Sequence, residues 1–128
     1  MASAAVPLPA ATGLRVLIAE DEALIRLDLR EMLSEEGFDV VGEAADGATA
    51  LEAATSLDPE VILLDIQLPD MDGFEVARRL LAEGPKRQIV LVSSRDRSAY
   101  GPLIEESGAR GFVSKGDLSR DSLERLLE

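Results

Sequence analysis

Short apolar runs alternate along this chain with stretches in which apolar residues recur every three to four positions. Val61-Ile62-Leu63-Leu64 and Ile89-Val90-Leu91-Val92 lack the in–out alternation of a half-solvated strand, and Leu14-Arg15-Val16-Leu17-Ile18-Ala19 breaks its run only once. Runs of this kind read as strands buried on both faces, the habit of a parallel sheet covered by helices on each side. Five strands are predicted, at 14–19, 38–44, 61–65, 89–93 and 111–114. The periodic stretches predict helices at 22–36, from an Asp46 N-cap through 56, at 74–81, a short one ending at Gly108, and a last one at 120–127. The punctuation agrees: Gly37 sits at a C′ position, Asp58-Pro59 and Gly84-Pro85 stop two helices, and Pro102 falls in a first turn. Five strand–helix units predict one α/β domain, a doubly wound five-stranded parallel sheet with five helices.

At 128 residues the chain is long enough for one domain with a full core. Residues 1–13 are uncharged and rich in Ala and Pro, and read as a disordered tail before a domain at 14–128. They lack the basic start of a secretory signal, and no apolar run reaches the length of a membrane span, so a cytoplasmic protein without a membrane partner is expected. The net charge of −12 argues against direct nucleic-acid binding. It is uneven, with 13 acids against 3 bases in residues 1–64 and 12 against 10 in residues 65–128. The chain has no Cys and no His, which excludes disulfides, thiolate or imidazole catalysis, and phosphohistidine on this chain.

The candidate chemistry lies at the carboxyl ends of the strands. Asp65 closes the apolar run of strand three, where a carboxylate is costly to place without a purpose. Glu20-Asp21 follow strand one, Ser93 ends strand four, and Lys115 follows strand five. In a doubly wound sheet this edge is where ligands bind. Three converging carboxylates call for a cation, and oxygen donors without Cys or His favour a hard ion such as Mg²⁺ over a soft metal. A carboxylate can also act as a nucleophile and form an acyl phosphate. Lys115 and Ser93 fit the roles of neutralising and bonding the other phosphoryl oxygens. Asp70 and Asp72 read as solvated turn residues.

These residues carry a resemblance. Asp65-x-x-x-Pro69-x-x-x-Gly73 after an apolar strand, the upstream acidic pair, Ser93-Ser94 and Gly108-Ala109-Arg110-Gly111-Phe112-x-x-Lys115 resemble receiver domains of two-component response regulators, over about residues 14–127. The resemblance implies a flavodoxin-like fold of strand order 2-1-3-4-5. It implies that Asp65 is the phosphoacceptor, loaded by a histidine kinase or histidine phosphotransfer protein. Asp21, Asp65 and the main-chain carbonyl of Gln67 would hold Mg²⁺ directly, and Glu20 through coordinated water. Lys115 would pair with Asp65 at rest and with the phosphoryl group afterwards. Ser93 and Phe112 would form the switch, with Phe112 rotating inward and recasting the face of helix four, strand five and helix five, where Arg97, Tyr100, Arg110 and Arg120 are expected. A downstream protein of unknown identity would read that face, and a phosphorylation-dependent homodimer is a further expectation.

Departures from the common pattern are Glu20 in place of Asp, Phe112 in place of Tyr, and Gly116 after Lys115 in place of Pro, for which a trans bond is expected. The expected function is therefore a stand-alone phosphorylation switch and not an enzyme acting on an external substrate. Two alternatives stand beside it. One is a receiver piece of a longer regulator with a transcriptional or RNA-binding output module. The other is a Mg²⁺-dependent phosphohydrolase with an aspartyl nucleophile, weakened by Gln67 where such enzymes carry a second acid.

Overall fold

The computed structural model describes residues 13–127; the expected tail, apart from Gly13, lies outside the described residues. Five parallel strands, β1 (Arg15–Ala19), β2 (Asp39–Ala44), β3 (Val61–Asp65), β4 (Gln88–Ser93) and β5 (Gly111–Ser114), form one sheet in the order β2-β1-β3-β4-β5. That is the 2-1-3-4-5 order expected above. The helices are α1 (Ala23–Glu35), α2 (Gly47–Leu57), α3 (Gly73–Glu83), α4 (Leu103–Glu106) and α5 (Arg120–Leu127). No helix among the described residues is long and apolar enough to cross a membrane.

Successive side chains of a strand point to opposite faces, and that divides the core in two. Leu17, Ala19, Ile62, Leu64, Ile89 and Leu91 pack on one face against Ala50 and Ala54 of α2, Phe74, Val76 and Leu80 of α3, and Ile104 of α4. Val16, Ile18, Val61, Leu63, Val90 and Val92 pack on the other against Leu29 and Leu33 of α1 and Leu123 of α5. The uninterrupted apolar runs thus serve two layers of helices at once.

The helix ends follow local chemistry. Asp46 caps α2 by accepting the Thr49 N–H at 2.8 Å. Gly37, just past α1, has φ +92°, a left-handed conformation glycine adopts without strain. α4 is a single turn, with Ile104 as its one buried residue.

Register places the site. Ala19 pairs with Leu64, Asp65 with Val92, and Ser93 with Ser114. The strands therefore finish level, and Glu20, Asp65, Ser93 and Lys115 leave the sheet along one edge, with Asp65 on the central strand.

Candidate functional site

Burial at this edge is severe for polar side chains: Glu20 is 1% exposed, Asp65 2% and Ser93 0%. Asp21 is exposed beside them. Carboxylate oxygens of Glu20, Asp21 and Asp65 lie within 4.8 Å of one another, close enough to share one metal ion.

Lys115 supplies the positive charge. Its largely covered Nζ donates to Asp65 Oδ2 at 3.1 Å, Glu20 Oε2 at 3.1 Å and Glu22 Oε1 at 3.0 Å. Asp65 Oδ1 accepts the Gln67 N–H at 2.9 Å, and Glu20 Oε2 accepts the Glu22 N–H at 3.0 Å. Glu20 Oε1 is also 3.0 Å from Nζ, yet outside hydrogen-bonding alignment, and this buried oxygen accepts no hydrogen bond. Behind it Arg26 holds the Glu20 carbonyl at 2.7 Å and so fixes the end of β1.

The acids titrate as buried groups. Burial raises the Glu20 carboxyl to about 7, against the Glu22 N–H and Lys115, which favour its charged form. Burial likewise raises Asp65, opposed by the Gln67 N–H and Lys115. For Lys115 burial acts downward, but hydrogen bonds to Glu20, Glu22 and Asp65 prevail and hold its ammonium above the usual lysine range.

The loop after Asp65 is pinned at several points. Gln67 and Asp72 bridge across it, and Gly73 N donates to Ile66 O at 2.8 Å. A Cβ on Gly73 would meet Ile66 Cα at 2.5 Å and Asp65 O at 2.7 Å, both backbone atoms that cannot swing aside. Gly73→Ala is therefore expected to destabilise the fold by about 1–3 kcal/mol, the usual range for overpacking. Chemical denaturation measures it, and an unchanged midpoint would refute the close approach.

A family model described as the response regulator receiver domain matches residues 16–128. The chain belongs to that family. Its relatives include the transcriptional regulatory protein PdtaR of Mycobacterium tuberculosis, 41% identical over 83% of this receiver and 51% of that protein. The chemotaxis protein CheY of Thermotoga maritima is 31% identical over 80% of the receiver and 86% of its own length. Among solved structures, the signal receiver domain of a modulated diguanylate cyclase from Desulfovibrio desulfuricans superposes with a TM-score of 0.79, at 32% identity, covering 90% of each chain. The receiver spans about half the length of the first curated relatives it matches.

The receiver edge brings Glu20, Asp21, Asp65 and Lys115 together, with Gln67 next in line, its side chain exposed and its N–H on Asp65. Ser93 is not hydrogen-bonded to any of them. Its hydroxyl pairs with the Tyr100 hydroxyl and accepts the Arg95 N–H at 3.1 Å. Phe112 is half-buried, its ring 6.0 Å from that of Tyr100. The Lys115–Gly116 peptide is trans, and Lys115–Asp117 forms a single 3₁₀ turn.

Three expectations need correction. Asp70 and Asp72 are more than solvated turn residues. Asp70 accepts the first two N–H groups of α2, from Gly47 at 2.6 Å and Ala48 at 3.0 Å, and these bonds hold its carboxyl below the usual range. Asp72 caps α3 through the Phe74 N–H at 2.8 Å. Tyr100, half-buried, bonds to Ser93 instead of standing on the outer face. Arg120 lies in α5, and there it pairs with Glu35 of α1. Sequence reasoning missed Glu22 as a third acid on Lys115. Its only signal was its place beside the acidic pair at the mouth of the same strand.

Proposed function

We infer that Asp65 accepts a phosphoryl group from a phosphohistidine of a kinase or phosphotransfer protein, in a Mg²⁺-dependent reaction. One observation carries the reading: a single ammonium is shared by buried Asp65, buried Glu20 and Glu22 at the carboxyl edge of the sheet. A structural ion pair needs one acid. Three acids, two of them raised by burial, are suited to a site that gains further positive charge in use.

The residues fit Mg²⁺. The donors are all hard oxygens, and buried Glu20 Oε1 has a lone pair with no hydrogen-bond donor on it. Asp21, Asp65 and the Gln67 carbonyl would hold the ion, with Glu20 acting through a coordinated water. When bound, Mg²⁺ neutralises charge on the transferring phosphoryl group.

The chain's own groups do the rest. The Gln67 N–H and Lys115 aim the Asp65 carboxylate. One carboxylate oxygen forms the new bond to phosphorus as the donor's P–N bond breaks, and that electron pair returns to the donor imidazole. Lys115 then follows the negative charge onto a phosphoryl oxygen, while Glu20 and Glu22 keep the ammonium at the mouth. Leu24, 78% exposed in the first turn of α1, offers the donor an apolar contact close to Glu22. Incubation with acetyl phosphate and Mg²⁺ tests the reading: the intact mass rises by one phosphoryl group, which hydroxylamine removes. No uptake under saturating donor would sink it.

Protons and Mg²⁺ compete for the same carboxylates. With Glu20 near 7 and acting through a coordinated water, Mg²⁺ affinity is expected to rise from pH 6 to pH 8 by up to about tenfold. Stability of the metal-free protein runs the other way. Glu20 is protonated more readily in the folded chain than in the unfolded one, so its contribution is lost as pH rises from about 4.5 through about 7. Calorimetric titration of the wild type and Glu20→Gln checks both, and an equally steep pH profile in the variant would remove Glu20 from the account.

The signal leaves through the face of α4, β5 and α5. PdtaR is named a transcriptional regulator and is about twice the matched length, which supports the alternative of a receiver within a longer regulator. The natural reading frame past codon 128 separates it from a stand-alone switch. The phosphohydrolase reading gains nothing from the geometry, because exposed Gln67 offers no acidic proton to a leaving group.

A further inference from the structure

The hydroxyl of Ser93 is fully buried, and a buried hydroxyl needs a partner. It accepts the Arg95 N–H at 3.1 Å, and its hydroxyl partner is Tyr100, seven residues on, in the segment between β4 and α4. The Tyr100 ring is wedged between two others. It meets Phe74, at the start of α3, edge-on at 5.6 Å and 70°, and Phe112 of β5 at 6.0 Å and 59°. Phe112 has no hydroxyl and cannot take over the bond to Ser93. Tyr100 thus touches Ser93 through its hydroxyl and neighbours Phe112 through its ring.

The backbone of Tyr100 links two weak elements. Its N–H donates to Arg97 O at 3.1 Å, within the 3₁₀ turn Arg97–Ala99, and its carbonyl accepts the Leu103 N–H at 3.2 Å. Gly101 follows with φ +56°, and α4 behind it is one turn with one buried side chain and no side-chain cap. A segment with so few buried contacts moves at small expense in free energy.

We propose that Tyr100 is a positioning residue for the phosphoryl site: at rest its hydroxyl holds Ser93, and loading of Asp65 exchanges Tyr100 for a phosphoryl oxygen on the Ser93 hydroxyl. This rests on Asp65 being the phosphoacceptor. The exchange is favourable because a hydrogen bond to an anionic phosphoryl oxygen is stronger than one between neutral hydroxyls. Tyr100 then leaves the gap between Phe74 and Phe112, and residues 97–106 move with it. Tyr100, not Phe112, makes the first move from the site to α4, and Phe112 turns inward only after it.

Tyr100 is the chain's one tyrosine, and there is no Trp, so tyrosine emission reports on this residue alone. Beryllofluoride with Mg²⁺ serves as the phosphoryl mimic, its binding followed independently by fluorine NMR. Tyrosine emission of the full chain is expected to change in step with binding, and not to change in Ser93→Ala. Tyr100→Phe keeps the ring between its neighbours but removes the resting bond. It should tighten beryllofluoride binding about five- to tenfold, the equivalent of one neutral hydrogen bond. In a Ser93→Ala background the same change should have no effect on binding, an outcome that a packing role for the phenol would not produce. Binding with unaltered emission, unchanged or weaker affinity in Tyr100→Phe, or an effect that persists without Ser93 would each overturn the proposal and leave the Asp65 reading intact. Absence of beryllofluoride binding to the wild type would overturn both.

Discussion

Asp65→Asn is expected to leave a folded protein that takes up no phosphoryl group from acetyl phosphate and Mg²⁺. The amide keeps a carbonyl oxygen to accept the Gln67 N–H, so the turn after β3 survives. What it loses is the nucleophile, because a neutral amide oxygen does not form a stable acyl phosphate. No neighbouring group can substitute. Glu20 is buried and engaged with Lys115 and the Glu22 N–H, while Asp21 is exposed to water, which competes for any activated phosphoryl group. The variant should show a native circular dichroism spectrum and a mass free of the phosphoryl adduct. A hydroxylamine-sensitive adduct in Asp65→Asn would place the acceptor elsewhere and undo the assignment.

Glu20 should also respond. The Asp65 charge raises its carboxyl, though less than burial does. Removing that charge is expected to lower the pH at which Glu20 ionises in the folded protein, and with it the upper end of the pH range over which the metal-free protein loses the Glu20 contribution, while the onset near the unfolded value stays where it was. A carbon-detected titration of the Glu20 carboxyl in both proteins would read this directly.

How far the residue pattern alone carried the reading depends on what each feature needs. The strands β1, β3 and β4 were legible because a strand buried on both faces must be apolar at nearly every position, and these runs lack the prolines that interrupt the apolar stretch before residue 13. The helix ends at Gly37, Asp58 and Gly84 were legible because each needs a backbone conformation or a break that few residues supply. Asp65 and Lys115 were legible because strand ends in a parallel sheet finish level, and the fold turns four separate sequence positions into one edge. Tyr100 was not legible. Its inward turn depends on a one-turn α4 and on the gap between Phe74 and Phe112, neither of which has a period or a motif. Asp70 was missed for a similar reason. Its partners, Gly47 and Ala48, are 23 and 22 residues away, and only the passage of α2 over the sheet brings them within reach.

Lys115→Met should have the largest effect on stability, and the effect should depend on pH. Methionine matches the length of the aliphatic stem but leaves Glu20 and Asp65 buried without the cation that both now face. Breaking a buried ion pair by removing one partner typically costs about 3–5 kcal/mol. Here about 2–3 kcal/mol is expected at pH 8, because the third partner, Glu22, is exposed and its share is screened by water. As pH falls the two buried acids, already raised by burial, take up protons and no longer need the ammonium. Their folded-state values lie above the unfolded ones and rise further without Lys115, so the variant regains stability through the region around and below 7. The deficit relative to wild type should therefore shrink toward pH 5. Mg²⁺ should reduce it at pH 8 by supplying the missing positive charge to the same oxygens. Urea denaturation at pH 5 and pH 8, with and without Mg²⁺, separates these effects. A deficit equal at both pH values would mean that Lys115 supports the fold through packing of its stem, and that the acids do not depend on its charge.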